Sequence, residues 1–377
     1  MTPDISHLVK AGCFPRGRES DLVDGLLGAG EPARAALERW LGAVDLDTLA
    51  AGERRLLPLV ADRVAELAIT TPEAGRLAGM KRHAFAANMR LFHAARPVLA
   101  ALSKAGCAPI IWKGMPLSQT CYASTAHRPM SDIDIVVVPD RLEAALRVLE
   151  DCAWHPKQGD PRRDAADLIV ESNDFSYQGD MQLSLDVSFH IGTFPEHAAQ
   201  RAILEASLPY EPGPEGVRVP PPAEHLLLIL HHGMPANALR PLRWVFDAHA
   251  LLAAQPVDWD RFAELADEIG IAPMVGIQLD LVARYGPGLV PAGLLERLSK
   301  GAVSPLQSRY LAVKAKPLNG RGLGDAIFLH QFVLRNAQAA EPSLTAAKYL
   351  WRLFQQKLRR DTPARIFDLT KQSLKRG

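Results

Sequence analysis

The chain begins with a long region in which apolar residues recur three and four positions apart. "EPARAALERWLGAV", "LAAGERRLLPLVADRVAELA" and "MRLFHAARPVLAALSKAG" all carry this spacing, which places the apolar side chains on one face of a helix. The spacing therefore predicts that residues 20–105 are wholly α-helical, within an N-terminal helical region that comprises residues 1–105.

The pattern changes after residue 105. "CAPIIWK" and "DIDIVVV" are short, apolar and β-branched, which favours strands. "PDRLEAALRVLEDCAW" has helical spacing, and "DFSYQGDMQLSLDVSFHI" alternates in polarity on both sides of Gly179-Asp180, as a β-hairpin does. Residues 106–208 are therefore predicted to form an α/β core around a small mixed sheet.

The proline-rich run "PYEPGPEGVRVPPP", residues 209–222, predicts a connection, because repeated prolines interrupt both helices and the interiors of sheets. Helical spacing returns in residues 223–377, for example in "AEHLLLILHHGM" and "LRPLRWVFDAHALLAA". The expected fold class is α+β, with a small mixed sheet core flanked by N-terminal and C-terminal helical regions.

Two aspartates stand at the start of the second strand. Because side chains alternate along a strand, Asp132 and Asp134 share one face while Ile133 and Ile135 point into the core. Two neighbouring carboxylates repel each other and are costly to bury, so a cationic group is expected beside them. A neighbouring strand that carries Asp186 can complete a cluster of three carboxylates.

Such a cluster indicates a particular chemistry. Hard oxygen ligands suit Mg²⁺ or Mn²⁺, and two such ions about 3.5–4 Å apart activate an attacking oxygen and stabilise a leaving pyrophosphate. Gly114 follows the first strand and lets backbone N–H groups approach a triphosphate without obstruction. Lys113 is either a phosphate ligand or a surface lysine. Arg128 is either a loop charge or a contact for phosphate or carboxylates.

The Lys113-Gly114 pair, "RPMSDIDIVV" and "LDVSFHI" together resemble the polymerase-beta-type nucleotidyltransferase superfamily, and in particular its bacterial branch of uncharacterised nucleotidyltransferases. The resemblance covers roughly residues 80–255, since "HLLLILHHGM" and "LRPLRWVFDAHALL" match that branch as well. It implies that the three aspartates bind metal and that Asp186 also helps to deprotonate an acceptor hydroxyl.

Two positions differ from the superfamily pattern. Its usual glycine-serine or glycine-glycine signature is Gly114-Met115 here, which leaves Lys113 to contact phosphate, and we include Ser131 among the nucleotide-binding candidates. The branch often has a histidine two residues after its third aspartate, where this chain has Ser188, with His190 two residues further on. His190 is therefore a candidate to contact the acceptor or to orient a carboxylate.

Two residues of the C-terminal region have two interpretations each. His232, which follows His231, is either a histidine packed over the sheet or part of the site. Arg243 and Asp247 are four residues apart, which favours a salt bridge along one helix. If Arg243 instead faces the cleft, it joins His190 and His232 as a residue that contacts the acceptor or supports the site.

The charge balance bears on the acceptor. Lys and Arg number 43 against 42 Asp and Glu, and aromatic residues make up 6%, so a dedicated DNA-binding protein is not indicated and base-stacking platforms are few. Residues 352–377 contain eight Lys or Arg and two Asp. This segment is either a solvated face or a docking surface for tRNA or a leader-type peptide. A small-molecule or peptide acceptor is favoured over RNA.

The spacing of the cysteines and the hydropathy of the chain indicate the cellular compartment of the protein. The four cysteines are far apart and form no CxxC pair, which argues against a structural zinc site and a disulfide framework. No uncharged apolar stretch is long enough to span a bilayer. We expect a cytoplasmic protein without a membrane segment.

The main hypothesis from the sequence is that the protein is an Mg²⁺-dependent nucleotidyltransferase. Such an enzyme transfers a nucleoside monophosphate, AMP from ATP, to a hydroxyl of a small-molecule or peptide acceptor and releases pyrophosphate. The alternatives are a toxin-like enzyme that modifies tRNA and a catalytically silent nucleotide-binding regulatory protein.

Overall fold

The structure, a computed structural model, describes residues 4–157, 175–179, 183–188, 197–234, 242–303 and 305–314, with short pieces between 316 and 329. The predictions for His190 and for residues 352–377 lie outside the described residues. The architecture is α+β, with one small mixed sheet packed among helices. This confirms the fold class expected from the sequence.

The N-terminal region is helical, as its spacing predicts. Its helices are α1 (Ile5–Cys13), α2 (Arg18–Leu27), α3 (Gly30–Ala43), α4 (Ala51–Arg54), α5 (Leu57–Glu66) and α6 (Ala74–Lys104). Glu53 is buried at the centre of this bundle and accepts hydrogen bonds from the indole of Trp40 and the guanidinium of Arg18. A buried charge that is satisfied in this way fixes how the helices pack.

The sheet begins where the helical spacing ends. The core elements are β1 (Ile110–Trp112), α7 (Gly114–Thr120), β2 (Asp132–Val136), α8 (Leu142–Asp151), β3 (His155–Pro156), β4 (Phe175–Gln178), β5 (Ser184–Ser188) and α9 (His197–Ala206). A single 3₁₀ turn, Thr125–His127, precedes β2. This turn and α7 form the connection between the first two strands.

The pairing of the strands determines which residues lie side by side in the sheet. β1 runs antiparallel to β2, and β5 lies parallel to β2 on its other side. β4 and β5 pair as the predicted antiparallel hairpin. The order of the described strands is β3-β4-β5-β2-β1-β7-β6, where β6 is Leu208–Pro209 and β7 is Arg218–Val219. The strand that carries Asp132 and Asp134 is therefore central.

The proline-rich connection differs from expectation, because it contributes to the sheet. β6 (Leu208–Pro209) and β7 (Arg218–Val219) pair with each other, and β7 also pairs with β1. β6 is the outermost described strand on its side, where the missing N–H of a proline costs no ladder hydrogen bond. The prolines thus limit these strands to two residues without excluding them.

Helices follow the connection, in agreement with the sequence. They are α10 (Pro222–His232), α11 (Arg243–Ala254), α12 (Trp259–Ile269), α13 (Ala272–Ala283), α14 (Leu294–Ser299) and α15 (Pro305–Lys314). They share one apolar core with the N-terminal helices, and the indole of Trp244 donates to the Cys13 carbonyl. The N-terminal helices and the helices after the connection therefore pack together beside the sheet.

Within the described part of the chain, no helix combines the length and the apolar composition that crossing a membrane needs.

Candidate active site

Asp132 and Asp134 lie on the same face of β2, as the alternation predicts. Both carboxylates are partly buried, whereas Ile133 and Ile135 between them are fully buried in the core on the other face. Since the core residues fix the register of the strand, the two carboxylates have little freedom to separate.

The third aspartate lies on the neighbouring strand. In the parallel pairing of β2 with β5, the register partner of Asp134 is Asp186. Paired positions on adjacent strands lie on the same side of a sheet. The fold thus brings Asp186 to the position beside Asp134, although 52 residues separate them in the sequence.

The carboxylate of Asp132 is held at an electrostatic cost. Burial raises its pKa, and the negative charge of Asp134 raises it further. The Ser131 hydroxyl donates to Asp132 Oδ2 at 3.2 Å and offsets part of this cost. Ser131, a nucleotide-binding candidate from the sequence, therefore contacts an aspartate in this structure.

Lys113 supplies the cation that the aspartates were expected to need. Its Nζ donates to Asp134 Oδ1 at 3.0 Å, and both side chains are more than four-fifths buried. The same Nζ lies 3.9 Å from the ring centroid of Trp112. Lys113 is therefore part of the site rather than a surface lysine at a strand end.

The backbone of Lys113 is strained. Its φ of 55° is in the left-handed region, which costs a non-glycine residue on the order of 1–3 kcal/mol. The N–H of Lys113 donates to Nε2 of His225 at 3.1 Å. A buried histidine on α10 thus stabilises the turn that directs the Lys113 side chain toward Asp134.

His225 performs this role only when it is neutral, because a protonated Nε2 cannot accept a hydrogen bond. Burial lowers the pKa of His225 to about 4, against an ordinary value of 6.5. The ring consequently remains an acceptor throughout the neutral pH range.

This depressed pKa predicts a loss of stability in acid. Since the unfolded chain binds a proton near pH 6.5 and the folded chain does not, the free energy of unfolding should fall by about 2 kcal/mol between pH 6.5 and pH 5 through His225 alone. His225→Gln keeps an acceptor but has no charge to gain. Urea unfolding at both pH values should therefore show a smaller loss in this variant. An exposed histidine, His83, gives the control variant His83→Gln, and equal losses in all three proteins would contradict the assignment.

Gly114 is packed too closely for a side chain. A Cβ at this position would lie 2.7 Å from Met130 Sδ and 3.0 Å from Arg128 Nη1. From the sequence, Gly114 was predicted to let a phosphate approach the backbone closely. The structure adds that the space beside its Cα is already occupied by two side chains of the segment that leads into β2.

Gly114→Ala should therefore lower stability by about 1–3 kcal/mol, the usual cost of overpacking, and should also lower activity. Met130 can adjust its flexible chain, but Arg128 is held by an ion pair and cannot move away. Urea unfolding measures the effect, with Gly42→Ala as the control, since nothing lies within 4 Å of a Cβ at Gly42. Equal stabilities of the two variants would show that the site tolerates a side chain.

Arg128 forms a two-pronged ion pair with Asp247. Its Nε and Nη2 donate to the two carboxylate oxygens at 2.9 Å each, and the Tyr122 hydroxyl donates to Oδ1 at 2.7 Å. Burial disfavours the charged guanidinium, but Asp247 more than compensates, so the pKa of Arg128 is raised. Asp247 therefore pairs with Arg128 rather than with Arg243, which is a correction to the helical salt bridge favoured from spacing.

The segment before β2 is fixed by Asn88, a fully buried residue of α6. Its amide nitrogen donates to the carbonyls of Thr125 and Arg128, and its amide oxygen accepts from the N–H of Met130. Asn88 thus determines where Arg128 and the start of β2 lie.

The remaining candidates from the C-terminal region are His232, which lies beside Trp112, and Arg243, which begins α11. The ring of His232 packs edge-on against Trp112, with centroids 6.2 Å apart, and the charge of Lys113, together with burial, lowers the pKa of His232 well below its ordinary value. Arg243 is partly buried at the start of α11. Burial and the neighbouring charge of Arg128 lower its pKa to about 9.

Sequence reasoning missed His225 and Asn88. A signal was present in each case, namely a polar side chain on the apolar face of an otherwise buried helix, as in "AEHLLLIL" and "FAANMRLF". Since a buried polar group must find a hydrogen-bond partner, each position pointed to a contact outside its own helix.

The donor set fits a hard divalent cation. Asp132 and Asp134 present carboxylate oxygens from one strand face, and Asp186 stands at the adjacent register position. The pKa of Asp132 is raised by its neighbour's charge, which is the kind of repulsion that a divalent cation relieves. These three residues would hold the ion.

Comparison with known proteins identifies the family. A family model described as an uncharacterised nucleotidyltransferase matches residues 45–287, which is more than half of the 377-residue chain. The comparison with curated proteins returns no match. The matched range includes β1, β2 and β5, the connection between β1 and β2, and the helices that carry His225 and Asp247. The chain therefore belongs to this family of uncharacterised nucleotidyltransferases, enzymes that transfer a nucleotidyl group from a nucleoside triphosphate.

Proposed function

We propose that the protein transfers a nucleoside monophosphate, AMP from ATP, to a hydroxyl of a small-molecule or peptide acceptor in a reaction that requires Mg²⁺ or Mn²⁺. The observation that carries this proposal is the arrangement of Asp132 and Asp134 on one face of β2, with Asp186 as the register partner of Asp134. Lys113 and Gly114 lie beside this face.

A bound divalent cation would neutralise charge on the phosphates and would lower the pKa of the attacking hydroxyl. The three aspartates would hold it, and its charge would relieve the repulsion that raises the pKa of Asp132. Lys113, now paired with Asp134, contributes a further positive charge toward the phosphates. Gly114 has no side chain of its own to obstruct the approach of its backbone to the triphosphate.

The chemical step is an in-line displacement. The acceptor oxygen forms a bond to the α-phosphorus, and the bond between that phosphorus and the bridging oxygen of the β-phosphate breaks. Pyrophosphate leaves with the electron pair of this bond. The proton of the acceptor hydroxyl passes to the Asp186 carboxylate, which the family resemblance favours as the base.

Arg128 supports this step from its position beside Gly114. Two of its donors are engaged by Asp247, and its Nη1 lies next to Gly114. We assign Arg128 the role of fixing the glycine turn and adding positive charge near the phosphates. Its rigidity comes from the buried ion pair.

The charge balance of the whole chain supports a small-molecule or peptide acceptor. A net charge of +1 and an aromatic content of 6% differ from the basic, aromatic surfaces that bind RNA strands. We also propose ATP as the donor nucleotide.

Pyrophosphate release tests this function. Purified protein is incubated with each of the four NTPs, pools of hydroxyl-bearing metabolites or peptides, and either Mg²⁺ or EDTA. We expect release that requires Mg²⁺ and acceptor and is fastest with ATP. Release that persists in EDTA would contradict the metal requirement, and preference for another NTP would overturn AMP as the transferred group.

A further inference from the structure

Helix α6 carries basic residues and no acidic ones. Its 31 residues include six Lys or Arg and two His, but no Asp or Glu. The whole chain is nearly balanced, with 43 Lys or Arg against 42 Asp or Glu, so positive charge is concentrated on this helix. A concentration of charge of one sign attracts ligands of the opposite sign.

One side of α6 is a row of exposed side chains, which we call the α6 stripe. Its members are Arg82, Phe85, Met89, His93 and Arg96, and all five are exposed. They are three or four positions apart, a spacing that aligns them along one side of a helix over about 21 Å. Phe85 is 49% exposed and Met89 is 40% exposed. The stripe therefore has a cation at each end and two large apolar side chains between them.

The cations of the stripe have no carboxylate partner within the described part of the chain. Arg82 and the adjacent exposed Arg90 form neither a hydrogen bond nor a salt bridge there. Arg96 donates to a backbone carbonyl. Lys81, which lies off the stripe, is paired with Asp62. The positive charge that faces solvent is therefore available to an external anion.

A groove between α5 and α6 borders the stripe and has a volume of about 630 Å³. Its walls include four alanines, namely Ala61, Ala65, Ala78 and Ala126. Arg82 and Phe85 of the stripe also line this α5–α6 groove. Asp62 lines it as well, but its carboxylate is engaged by Lys81 and His127. The groove thus offers apolar walls beside the unpaired cation of Arg82.

We propose that the α6 stripe and the α5–α6 groove form a docking surface for an acidic peptide segment of a partner protein. Carboxylates of the segment pair with Arg82, Arg90 and Arg96, and a bulky apolar side chain of the segment enters the groove against Phe85. None of these residues belongs to the carboxylate cluster, and the proposal does not depend on nucleotidyl transfer.

The structure favours an acidic peptide over three other occupants. A second copy that docked symmetrically would bring the same cations against the stripe. A membrane surface takes up the apolar face of a helix, and the apolar residues on the other side of α6, such as Leu91 and Leu99, are buried in the core. Nucleic acid strands stack on several aromatic side chains, whereas Phe85 is the only exposed Phe, Tyr or Trp among the side chains that the structure describes.

Selection from a peptide library tests this surface. Random 12-residue peptides displayed on phage are selected on the full-length protein, and the affinities of the selected peptides are measured by fluorescence anisotropy. We expect peptides rich in Asp and Glu that carry a bulky apolar residue. Phe85→Ser and the double variant Arg82→Gln/Arg90→Gln should each bind them about tenfold more weakly. The matched control is Arg147→Gln/Lys300→Gln, which removes two exposed positive charges elsewhere and should bind as the wild type does.

Several results would overturn the proposal. These are the selection of no acidic peptides, and equal binding of the selected peptides by wild type, both stripe variants and the control. Tighter binding of a 12-nucleotide oligouridylate or of phosphatidylserine vesicles than of the peptides, weakened by the same variants, would assign the surface to nucleic acid or to a membrane instead. A dimer in sedimentation that the stripe variants dissociate would assign it to a second copy. Unfolding temperatures of all variants identify any loss of binding that comes from misfolding.

Discussion

Asp132→Asn should abolish nucleotidyl transfer while making the ligand-free protein more stable. Activity should fall by about a thousandfold or more, because removal of an anionic ligand forfeits several kcal/mol of transition-state stabilisation. Stability should rise because burial and Asp134 make the ionised Asp132 unfavourable in the folded state, and Asn carries no charge.

The sign of the pH effect follows from the raised pKa. Protonation of Asp132 stabilises the folded state of the wild-type protein relative to the unfolded state. This stabilisation is lost as the pH rises from the ordinary aspartate pKa of 3.8 through the raised pKa of Asp132 in the folded state. Thermal unfolding at pH 7 without metal should therefore give a higher transition temperature for Asp132→Asn than for wild type. Addition of Mg²⁺ should raise the wild-type temperature and leave the variant nearly unchanged. A variant that is active, or one that is less stable without metal, would refute the electrostatic account of this strand.

Arg128→Ala should cause the largest loss of stability among single substitutions at the site, about 3–5 kcal/mol, since it leaves the Asp247 carboxylate buried without its cation. Both side chains are only 7% exposed. Arg128→Lys should recover only part of this loss, because a lysine cannot form both hydrogen bonds to the carboxylate.

Urea unfolding measures these losses, and a surface ion pair provides the control. Arg34 pairs with Glu38 one helical turn away, and both side chains are more than two-fifths exposed, so Arg34→Ala should cost no more than about 1 kcal/mol. Equal urea midpoints for Arg128→Ala and Arg34→Ala would show that the buried Arg128–Asp247 ion pair contributes no more to stability than the surface ion pair does.

The sequence revealed those features of the site that depend on local pattern. Asp132 and Asp134 were found because alternation along one strand places them together, and the cost of that placement predicted a cation, which the structure identifies as Lys113. The hairpin that carries Asp186 was predicted from alternation around Gly179 and is confirmed by the pairing of β4 with β5.

The supporting contacts could not be predicted in the same way. His225 meets a backbone N–H 112 residues away, and Asn88 meets Arg128 at a separation of 40. Periodicity shows which face of a helix is buried but not which element covers it. The Arg243–Asp247 prediction was wrong for this reason, since an arginine distant in sequence, Arg128, forms two hydrogen bonds to the Asp247 carboxylate.

Nucleotidyl transfer is tested most directly by measuring where the α-phosphate of ATP goes. Wild-type protein and Asp134→Asn are incubated with acceptor and Mg²⁺, using ATP labelled at the α-phosphate in one reaction and at the γ-phosphate in another. We expect wild type to transfer the α label to the acceptor and to release the γ label only as pyrophosphate, and we expect Asp134→Asn to do neither. Appearance of the γ label on the acceptor would identify phosphoryl transfer instead and would contradict nucleotidyl transfer at this carboxylate cluster.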